Sequence, residues 1–309
     1  MGIKLGNTFI KKHCKKDIHK IYFEMLKNMT LVVDTSIYMY RFLEDDRLED
    51  NFNLLINIFK THNITPIFVF DGWAKENKRA TLRERERCRR YAEYEYKETQ
   101  EKLTNAKSSL EKLYIATELA AIKRRTVRLT VEHKELVKKI IMDAGYNYID
   151  APHESDEVCA KLVLSKVAHG VMTEDMDMFV YGCQHVYRCL DIVNGTIVKY
   201  NLKGIIKTLD MTLTEFKELF VISGTDYNKS KENIFYYYDM FKKYKADNST
   251  IKKHNNKWKS FYDWLVENTD CIDNYSELLE VYFMFDLNNR DHDYLKQYEK
   301  QITIKIDFK

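Results

Sequence analysis

Short apolar runs alternate with longer amphipathic stretches along this chain of 309 residues. Three of the apolar runs lie at 31–34, 67–71 and 170–175, and each leads into an aspartate. A short apolar run bounded by polar residues predicts a buried strand, whereas the apolar positions within 54–59 have helical spacing. This alternation predicts an α/β fold with a central, mainly parallel twisted sheet flanked by helices.

The segment 73–130 differs from its surroundings because it contains no glycine or proline and is rich in Lys, Arg and Glu. A run without breakers predicts helix, here two helices that meet near 104–109. The segment is too polar for a core. We therefore expect either a solvated helical hairpin that projects from the sheet or a cover over a cleft that begins at Asp71.

The aspartates at the strand ends suggest a shared site. Asp34, Asp71 and Asp175 end the three apolar runs, and Asp177 follows closely. Because the carboxyl ends of parallel strands meet at one edge of an open sheet, we expect these side chains to line one cleft. Carboxylates held together repel one another unless a cation neutralises them, so the pattern favours a divalent metal.

Each acid also has a structural interpretation. Asp34 could cap the helix that follows it, and Asp71 could belong to a turn. Glu154 and Asp156 stand at a predicted helix start, where the helix dipole favours acids. Asp226 follows a predicted helix that opens with a capping box and ends at a glycine. For each acid considered alone, the structural interpretation is favoured.

Taken together, the acids favour a metal site on one edge of the sheet. The seven candidates are Asp34, Asp71, Glu154, Asp156, Asp175, Asp177 and Asp226. Mg²⁺ prefers oxygen ligands and keeps several waters, so a site for two ions uses many carboxylates. Two such ions activate a water and stabilise the leaving oxygen of a phosphodiester. We therefore predict hydrolysis of a nucleic-acid backbone with two Mg²⁺ ions, for which Mn²⁺ could substitute.

Basic residues after Asp71 support a phosphate substrate. Lys78 and Arg85 are seven positions apart, which places both on one face of a helix that leaves the acidic cleft. They could clamp the scissile phosphate, or the helix could be a solvated surface helix with Glu and Arg pairs. Tyr91 and Tyr94 interleave with this charge and could stack on bases or pack against protein.

Composition limits the remaining classes. The net charge of +3 gives no overall signal for nucleic acid. The six cysteines form no CxxC pair, which disfavours a zinc site and fits reduced thiols in an intracellular protein, nuclear or cytoplasmic. No apolar stretch approaches the ~18 residues of a membrane-spanning helix, so we expect no membrane association.

Several motifs resemble those of the flap endonuclease family, structure-specific 5′ nucleases with a PIN-like α/β fold and two metal ions. The matching segments are MGI, LVVDTSIYMYRFL, PIFVFDG, the Lys78/Arg85 spacing, YIDAPHESDEVCAKLV, VMTEDMDMFVYG and FVISGTDYN. The resemblance implies a metal-dependent 5′ nuclease or 5′–3′ exonuclease that cuts flapped or branched DNA in replication, repair or recombination. The low Gly and Pro content would fit a divergent viral member.

The resemblance also implies roles for individual residues. All seven acids fall on metal-binding positions of the family, with Asp156 where cellular eukaryotic members usually have glutamate. Lys78 and Arg85 match the basic pair that contacts the scissile phosphate. Tyr40 matches an aromatic residue that stacks on a base, and Gly2 matches the residue near the active site at the processed N-terminus.

The implied organisation is a single, monomeric nuclease domain over 1–309. Its parts are an N-terminal nuclease part (1–72), a helical gateway and arch (73–130), an internal nuclease part (131–228) and a divergent helical duplex-binding region with a tail (229–309).

The chain departs from the family after Asp226, where residues 233–235 replace a glycine-bearing turn that grips duplex DNA. Duplex binding would then rely on other groups, for which the candidates are Lys229, Lys231, Lys242 and Lys243. In the tail, Gln301, Ile304 and Phe308 partly fit a motif that binds a sliding clamp, although this segment could equally be a closing strand.

Three other functions stay open on sequence grounds. They are a Holliday-junction resolvase, a non-catalytic protein that binds DNA junctions, and a 5′–3′ exoribonuclease. The exoribonuclease shares acids at strand ends, and comparing RNA with DNA flaps would identify it. The non-catalytic protein would retain the acids but bind DNA without cutting it.

Overall fold

The computed structural model describes residues 3–73, 79–251 and 260–287. Gly2, Lys78 and the tail positions Gln301, Ile304 and Phe308 lie outside these ranges, so their predicted roles stay predictions.

The described elements alternate between strand and helix over most of the chain. The strands are β1 (Ile18–Tyr22), β2 (Thr30–Asp34), β3 (Thr65–Phe70), β4 (Tyr148–Asp150), β5 (Gly170–Met172), β6 (His185–Asp191) and β7 (Thr196–Asn201). The helices are α1 (Gly6–His13), α2 (Thr35–Glu44), α3 (Leu48–Thr61), α4 (Arg79–Asn105), α5 (Ser109–Thr126), α6 (Val131–Asp143), α7 (Ser155–Leu164), α8 (Asp177–Tyr181), α9 (Leu202–Leu209), α10 (Leu213–Ile222), α11 (Ile234–Ile251), α12 (Phe261–Asn268) and α13 (Tyr275–Met284).

One sheet with the strand order β1-β7-β6-β5-β2-β3-β4 organises the fold. The strands from β6 to β4 run parallel, and β7 and β1 extend the sheet antiparallel at one side. In register, Val33 of β2 lies opposite Phe68 of β3 and Met172 of β5. The prediction of a mainly parallel sheet is thus confirmed.

The middle of the central strand β2, from Leu31 to Val33, is apolar because helices cover both of its faces. Its alternate residues point to opposite faces of the sheet. Leu31 and Val33 pack in a core with α2, α3 and α6, whereas Val32 packs in a second core with α1, α7, α10 and α11. All three side chains are fully buried. This double burial fixes the position at which β2 ends, and with it the position of Asp34.

The polar segment after Asp71 forms two helices, α4 and α5, which pack against each other. The break between them falls inside the range predicted from the sequence, and Ser108 caps α5 by accepting a hydrogen bond from the Leu110 amide at 3.3 Å. The far end of α5 is bound to the residues after α2, where Arg124 lies 3.8 Å from Asp45 and Lys123 contacts Asp46. The hairpin is therefore attached to the sheet domain at both of its ends.

Within the described ranges, no helix combines the length and the apolar character needed to cross a membrane.

Candidate active site

The three predicted strand-end aspartates lie at the same edge of the sheet. Asp34 is the last residue of β2, and Asp71 directly follows β3. Asp175 stands three residues beyond β5, because that strand ends at Met172 and is shorter than the apolar run suggested. Since β3, β2 and β5 are adjacent and parallel, their carboxyl ends bring these three acids to one edge.

Asp34 does not cap the helix that follows it. It occupies the N-cap position of α2 but makes no side-chain capping hydrogen bond. Its carboxylate instead accepts two hydroxyl hydrogen bonds, from Ser155 Oγ to Oδ1 at 3.0 Å and from Thr173 Oγ1 to Oδ2 at 2.8 Å. The side chain is only 4% exposed. Asp34 is therefore a buried carboxylate oriented by side chains from α7 and the loop after β5.

Ser155 contacts two carboxylates at once. Its amide N–H donates to Asp71 Oδ1 at 2.9 Å, and its Oγ lies 2.8 Å from the same atom and 3.0 Å from Asp34 Oδ1. A serine hydroxyl carries one proton, so it can donate to only one of the two carboxylates at a time. The two acids are thus held close together with fewer donors than their oxygens could accept.

This arrangement perturbs the ionisation of Asp34. Burial raises the pKa of Asp34 to about 7, and the negative charge of Asp71 acts in the same direction. The hydrogen bonds from Thr173 and Ser155 oppose the shift. A nearby cation would favour the ionised form, because an opposite charge stabilises a carboxylate.

The loop after β5 orders two further acids. Asp175 N–H donates to Thr173 Oγ1 at 3.1 Å, and Asp177 N–H donates to Asp175 Oδ1 at 2.9 Å. Both acids are 2% exposed. Their neighbour Glu174 has a different role, since its Oε1 accepts from the Cys189 amide at 2.7 Å. Glu174 therefore has a structural role, unlike the candidate metal ligands Asp175 and Asp177 in the same TEDMD motif.

The other acids approach the edge from helix ends and loops. Glu154 precedes α7 without a side-chain capping bond, and its Oε2 accepts from the Tyr227 hydroxyl at 2.7 Å. Asp156 lies in the first turn of the same helix. Asp226 Oδ2 accepts from Arg85 Nη2 at 2.8 Å, which joins the loop after α10 to helix α4.

Tyr40 is influenced by charges from both the acids and the basic helix. Its side chain is 44% exposed on α2. Burial of the hydroxyl raises its pKa, as does the charge of Asp71, whereas the charges of Arg89 and Arg85 lower it. Tyr40 therefore lies near groups from both sides of the candidate site.

Gly72 allows the segment that carries Asp71 to lie close to the residues before α7. Its amide donates to the His153 carbonyl at 2.7 Å, and a Cβ at this position would lie 2.0 Å from the Ala151 carbonyl oxygen. Only glycine fits this approach. Lys134 adds a further restraint, because its Nζ donates to the Asp71 carbonyl at 2.9 Å.

The sequence analysis missed the groups that hold the acids in place. They are Ser155, Thr173, Tyr227 and Lys134. Ser155 and Thr173 lie inside the motifs that were singled out, so a hydroxyl next to an acidic position was the available signal. Tyr227 gave the same signal, since it follows Asp226 within a matching motif, whereas Lys134 gave none.

The donor set fits a hard divalent cation, because the candidate ligands are all carboxylates and no His or Cys is among them. In the described parts of the chain, no three His, Cys, Asp or Glu side chains form a ready-made metal-binding group. Mg²⁺ is usually bound through one or two carboxylates and retains several waters, so wider spacing is compatible with such an ion.

Two family models match this chain. The XPG N-terminal domain matches residues 1–92, and the XPG I-region matches residues 145–226. Together they span more than half of the chain and include all seven candidate acids, with Asp226 as the last matched residue.

Flap endonucleases from several organisms are similar to this chain. Flap endonuclease 1 from Entamoeba histolytica is 25% identical over 285 residues, which cover 85% of this chain and 73% of that protein. Flap endonuclease 1 from Vanderwaltozyma polyspora is 28% identical over 290 residues, with 85% and 73% covered. That from Methanococcus aeolicus is 27% identical over 244 residues, with 74% and 69% covered.

Solved structures share the fold. The catalytic core of Rad2 in complex with a DNA substrate matches with a TM-score of 0.61 and 22% identity, covering 93% of this chain and 87% of that one. Flap endonuclease-1 from Methanococcus jannaschii matches with a TM-score of 0.53 and 22% identity, covering 97% and 98%. With both XPG regions, the acid edge and this fold in agreement, the chain belongs to the flap endonuclease family.

Proposed function

We propose that this chain is a metal-dependent, structure-specific 5′ nuclease that hydrolyses phosphodiester bonds of branched DNA inside the cell, in replication, repair or recombination. The observation that carries the proposal is the acid edge, where Asp34 and Asp71 lie within hydrogen-bonding distance of one Ser155 hydroxyl. A divalent cation would neutralise carboxylates that lie this close together, and the same cation could bind a phosphate group. Membership of the flap endonuclease family selects DNA with a 5′ flap as the first substrate to test.

The proposed metal ligands are the seven acids Asp34, Asp71, Glu154, Asp156, Asp175, Asp177 and Asp226. When bound, two Mg²⁺ or Mn²⁺ ions would supply an activated water and neutralise charge on the phosphate. The protein orients the carboxylates before any ion binds. Ser155 and Thr173 restrain Asp34, and Tyr227 restrains Glu154, each through a hydroxyl hydrogen bond.

Arg85 is the proposed contact for the scissile phosphate, together with Lys78. The Arg85 side chain is 46% exposed and bonds to Asp226, so it is placed beside the acids while still open to solvent. A phosphate oxygen can replace the Asp226 carboxylate as its acceptor, because guanidinium binds both groups with the same geometry. Arg85 would then neutralise charge that develops in the transition state.

Tyr40 is proposed to stack on a base next to that phosphate. Its ring is partly exposed, and its hydroxyl is influenced by the charges of Asp71 and of two arginines of α4. Base stacking on an aromatic side chain contributes ~1–3 kcal/mol, which would fix the nucleotide at the site. Gly2 is proposed to approach the same site from the N-terminus.

The α4–α5 hairpin is proposed to act as the gateway and arch for the 5′ end of the DNA, within a monomeric nuclease domain. Its support is the bond between Arg85 of α4 and Asp226, together with the Thr81 hydroxyl, which donates to the Asp226 carbonyl at 3.2 Å. The base of the hairpin is therefore bound to the acid edge itself.

The proposal is tested with purified protein and a panel of labelled substrates that comprises flap, nicked, blunt and four-way DNA, and an RNA flap. We expect incision of the 5′ flap near its junction with Mg²⁺ or Mn²⁺. Asp175→Asn should abolish cleavage without changing the circular dichroism spectrum, whereas Glu111→Gln, at an exposed acid of α5, should cut normally. A flap left uncut with both metals, or unchanged turnover in Asp175→Asn, would contradict the proposal.

A further inference from the structure

The first twenty residues carry a large excess of positive charge for a chain with a net charge of +3. They contain six lysines and a single acid, Asp17, and all six lysines are exposed. Asp17 is engaged within the protein, since its Oδ2 accepts from Thr208 Oγ1 at 2.6 Å. Four of the six, Lys11, Lys12, Lys15 and Lys16, lie on α1 and the turn after it.

Helix α11 adds a lysine and two aromatic rings to the same surface. Lys12 Nζ lies 5.0 Å from the centre of the Phe235 ring, and Lys242 Nζ lies 5.0 Å from the Tyr238 ring. Between them, the His13 ring is 5.1 Å from Tyr238. We call this surface the basic seam and define it by Lys11, Lys12, Lys15, Lys16 and Lys242.

The Phe235 and Tyr238 rings support the side chains of Lys12 and Lys242. Phe235 and Tyr238 pack edge-on against the buried Phe9, with centroids 5.6 and 5.0 Å away. Lysine ammonium groups above aromatic rings are attracted by the negative ring faces, at ~0.5–1 kcal/mol for exposed pairs. The aromatic groups thus hold the ammonium groups of Lys12 and Lys242 in place.

Little negative charge offsets the seam. Asp239 pairs with Lys242 at 2.6 Å, and both side chains are largely exposed. Within the described ranges, no carboxylate lies within 4 Å of the Lys11, Lys12, Lys15 or Lys16 ammonium groups. Burial lowers the pKa of His13, and the charges of Lys12 and Lys242 lower it further, as expected inside a positive cluster.

The seam leads away from the acid edge. At the start of α1, Asn7 Oδ1 accepts from Arg188 Nη1 at 3.0 Å, and Arg188 Nη2 donates at 2.7 Å to the carbonyl of Glu174, the neighbour of Asp175. Eight residues of helix span about 12 Å, which is the rise of about 3–4 base pairs of duplex.

We infer that the basic seam binds the phosphate backbone of a double-stranded arm of the DNA whose branch lies at the acid edge. The inference rests on the proposed function and adds the position of the duplex. Point charges in a row suit regularly spaced phosphates. The Phe235 and Tyr238 rings already contact lysine ammonium groups and the Phe9 ring, which disfavours stacking of the unstacked bases of a single strand on them.

The seam also narrows the set of lysines expected to bind duplex. Lys231 Nζ donates to Asp273 Oδ1 at 2.5 Å and to the Asp270 carbonyl at 2.7 Å, so it is bound to the protein itself. Of the four candidates after Asp226 that the sequence suggested, Lys242 belongs to the basic seam, where the lysines of α1 join it.

The test compares two double variants of the full chain. Lys12→Ala/Lys242→Ala removes two charges from the seam, and Lys27→Ala/Lys60→Ala removes two exposed charges near the opposite core. Binding of a 5′-flap DNA is measured by fluorescence anisotropy with Ca²⁺ over a range of salt concentrations. Each lost phosphate contact lowers the slope of log K against log salt by about 0.9, so the seam variant should be shallower by about 1.8.

A second measurement locates the contact on the DNA. When the double-stranded arm is shortened from about 16 to about 4 base pairs, wild-type affinity should fall to the level of the seam variant, whose affinity should change little. The control variant should follow the wild type in both measurements.

Three outcomes would overturn the inference. They are an unchanged salt slope in the seam variant, an equal loss in the control variant, and an equal loss on a single-stranded oligonucleotide. These are distinct from a failure of the proposed function, in which the wild type itself would neither bind nor cut the flap.

Discussion

Replacing Ser155 by alanine tests the organisation of the acid edge directly. The substitution deletes the Oγ atom that lies 3.0 Å from Asp34 Oδ1 and 2.8 Å from Asp71 Oδ1. It retains the backbone N–H that donates to Asp71 at 2.9 Å. Serine and alanine differ by one buried oxygen, so the change removes a donor and leaves the path of α7 intact.

The expected magnitude follows from what Asp34 loses. A hydrogen bond to a charged group contributes ~1.5–3 kcal/mol, and 1.4 kcal/mol corresponds to about tenfold in an equilibrium constant. Residues that orient metal ligands typically contribute 10–100-fold to metal affinity. Both estimates predict that Ser155→Ala weakens divalent-ion binding by about 10–100-fold, because one of the two hydroxyls that hold Asp34 is gone.

Isothermal titration of the metal-free protein with Ca²⁺ or Mn²⁺ measures this loss without any DNA. The Mg²⁺ concentration needed for half-maximal cleavage should rise by the same factor, and saturating Mg²⁺ should restore most of the rate. Ser155→Thr should retain binding because it keeps the hydroxyl. Ser165→Ala is the matched control, since this serine bonds only to its own helix, at 2.7 Å from the Lys161 carbonyl.

Equal metal affinity in Ser155→Ala and the wild type would refute the reasoning. A loss in the Ser165→Ala control would equally show that the effect comes from general destabilisation of α7.

Three further predictions concern other parts of the molecule. Gly72→Ala places a Cβ 2.0 Å from the Ala151 carbonyl oxygen, so the segment that carries Asp71 must shift. We expect cleavage to fall at least tenfold and the melting temperature to decrease. Normal activity in this variant would contradict the predicted effect of this contact. Arg85→Ala should slow cleavage by about 10²-fold at saturating metal while Ca²⁺ binding stays intact. Arg85→Lys should recover part of the cleavage rate. An unaffected rate in Arg85→Ala would exclude Arg85 from the phosphate site. Burial raises the pKa of Glu218 from 4.5 to about 7, so this group costs the folded state stability as pH rises from 4.5 to 7. Glu218→Gln removes that cost, and the difference in unfolding free energy between pH 5 and pH 8, measured by urea denaturation, should change relative to wild type by at most about 3 kcal/mol; an unchanged difference would show that Glu218 does not titrate in this range.

The acids and their place in the fold could be predicted from sequence because each is tied to a local pattern. Asp34 and Asp71 follow apolar runs that are strands in the structure, and parallel strands deliver their ends to one edge. The capping box that precedes Asp226 is also present, with Thr212 and Glu215 bonded to each other's backbone. Strand and helix periodicities, and helix start signals, are properties of neighbouring residues, so a single sequence displays them.

The contacts that hold the acids could not be predicted because they join residues far apart in the chain. Arg85 and Asp226 are 141 positions apart, and Thr173 and Asp34 are 139 apart. No periodicity links such pairs, and their meeting depends on the packing of the whole sheet. The basic seam has the same character, since Lys12 meets Phe235 across almost the full chain.

The acid edge combines two ways of holding carboxylates, and the difference bears on how metal and DNA binding are coupled. Asp34 is held by two neutral hydroxyls, which orient the carboxylate without neutralising it. Asp226 instead accepts from Arg85 Nη2 at 2.8 Å, and that arginine is the proposed phosphate contact. When Arg85 moves from Asp226 to a phosphate, the Asp226 carboxylate loses the positive charge of that arginine beside the other acids. Arrival of DNA should therefore increase the affinity of the acid edge for a divalent cation, and by thermodynamic reciprocity a bound cation should tighten DNA binding.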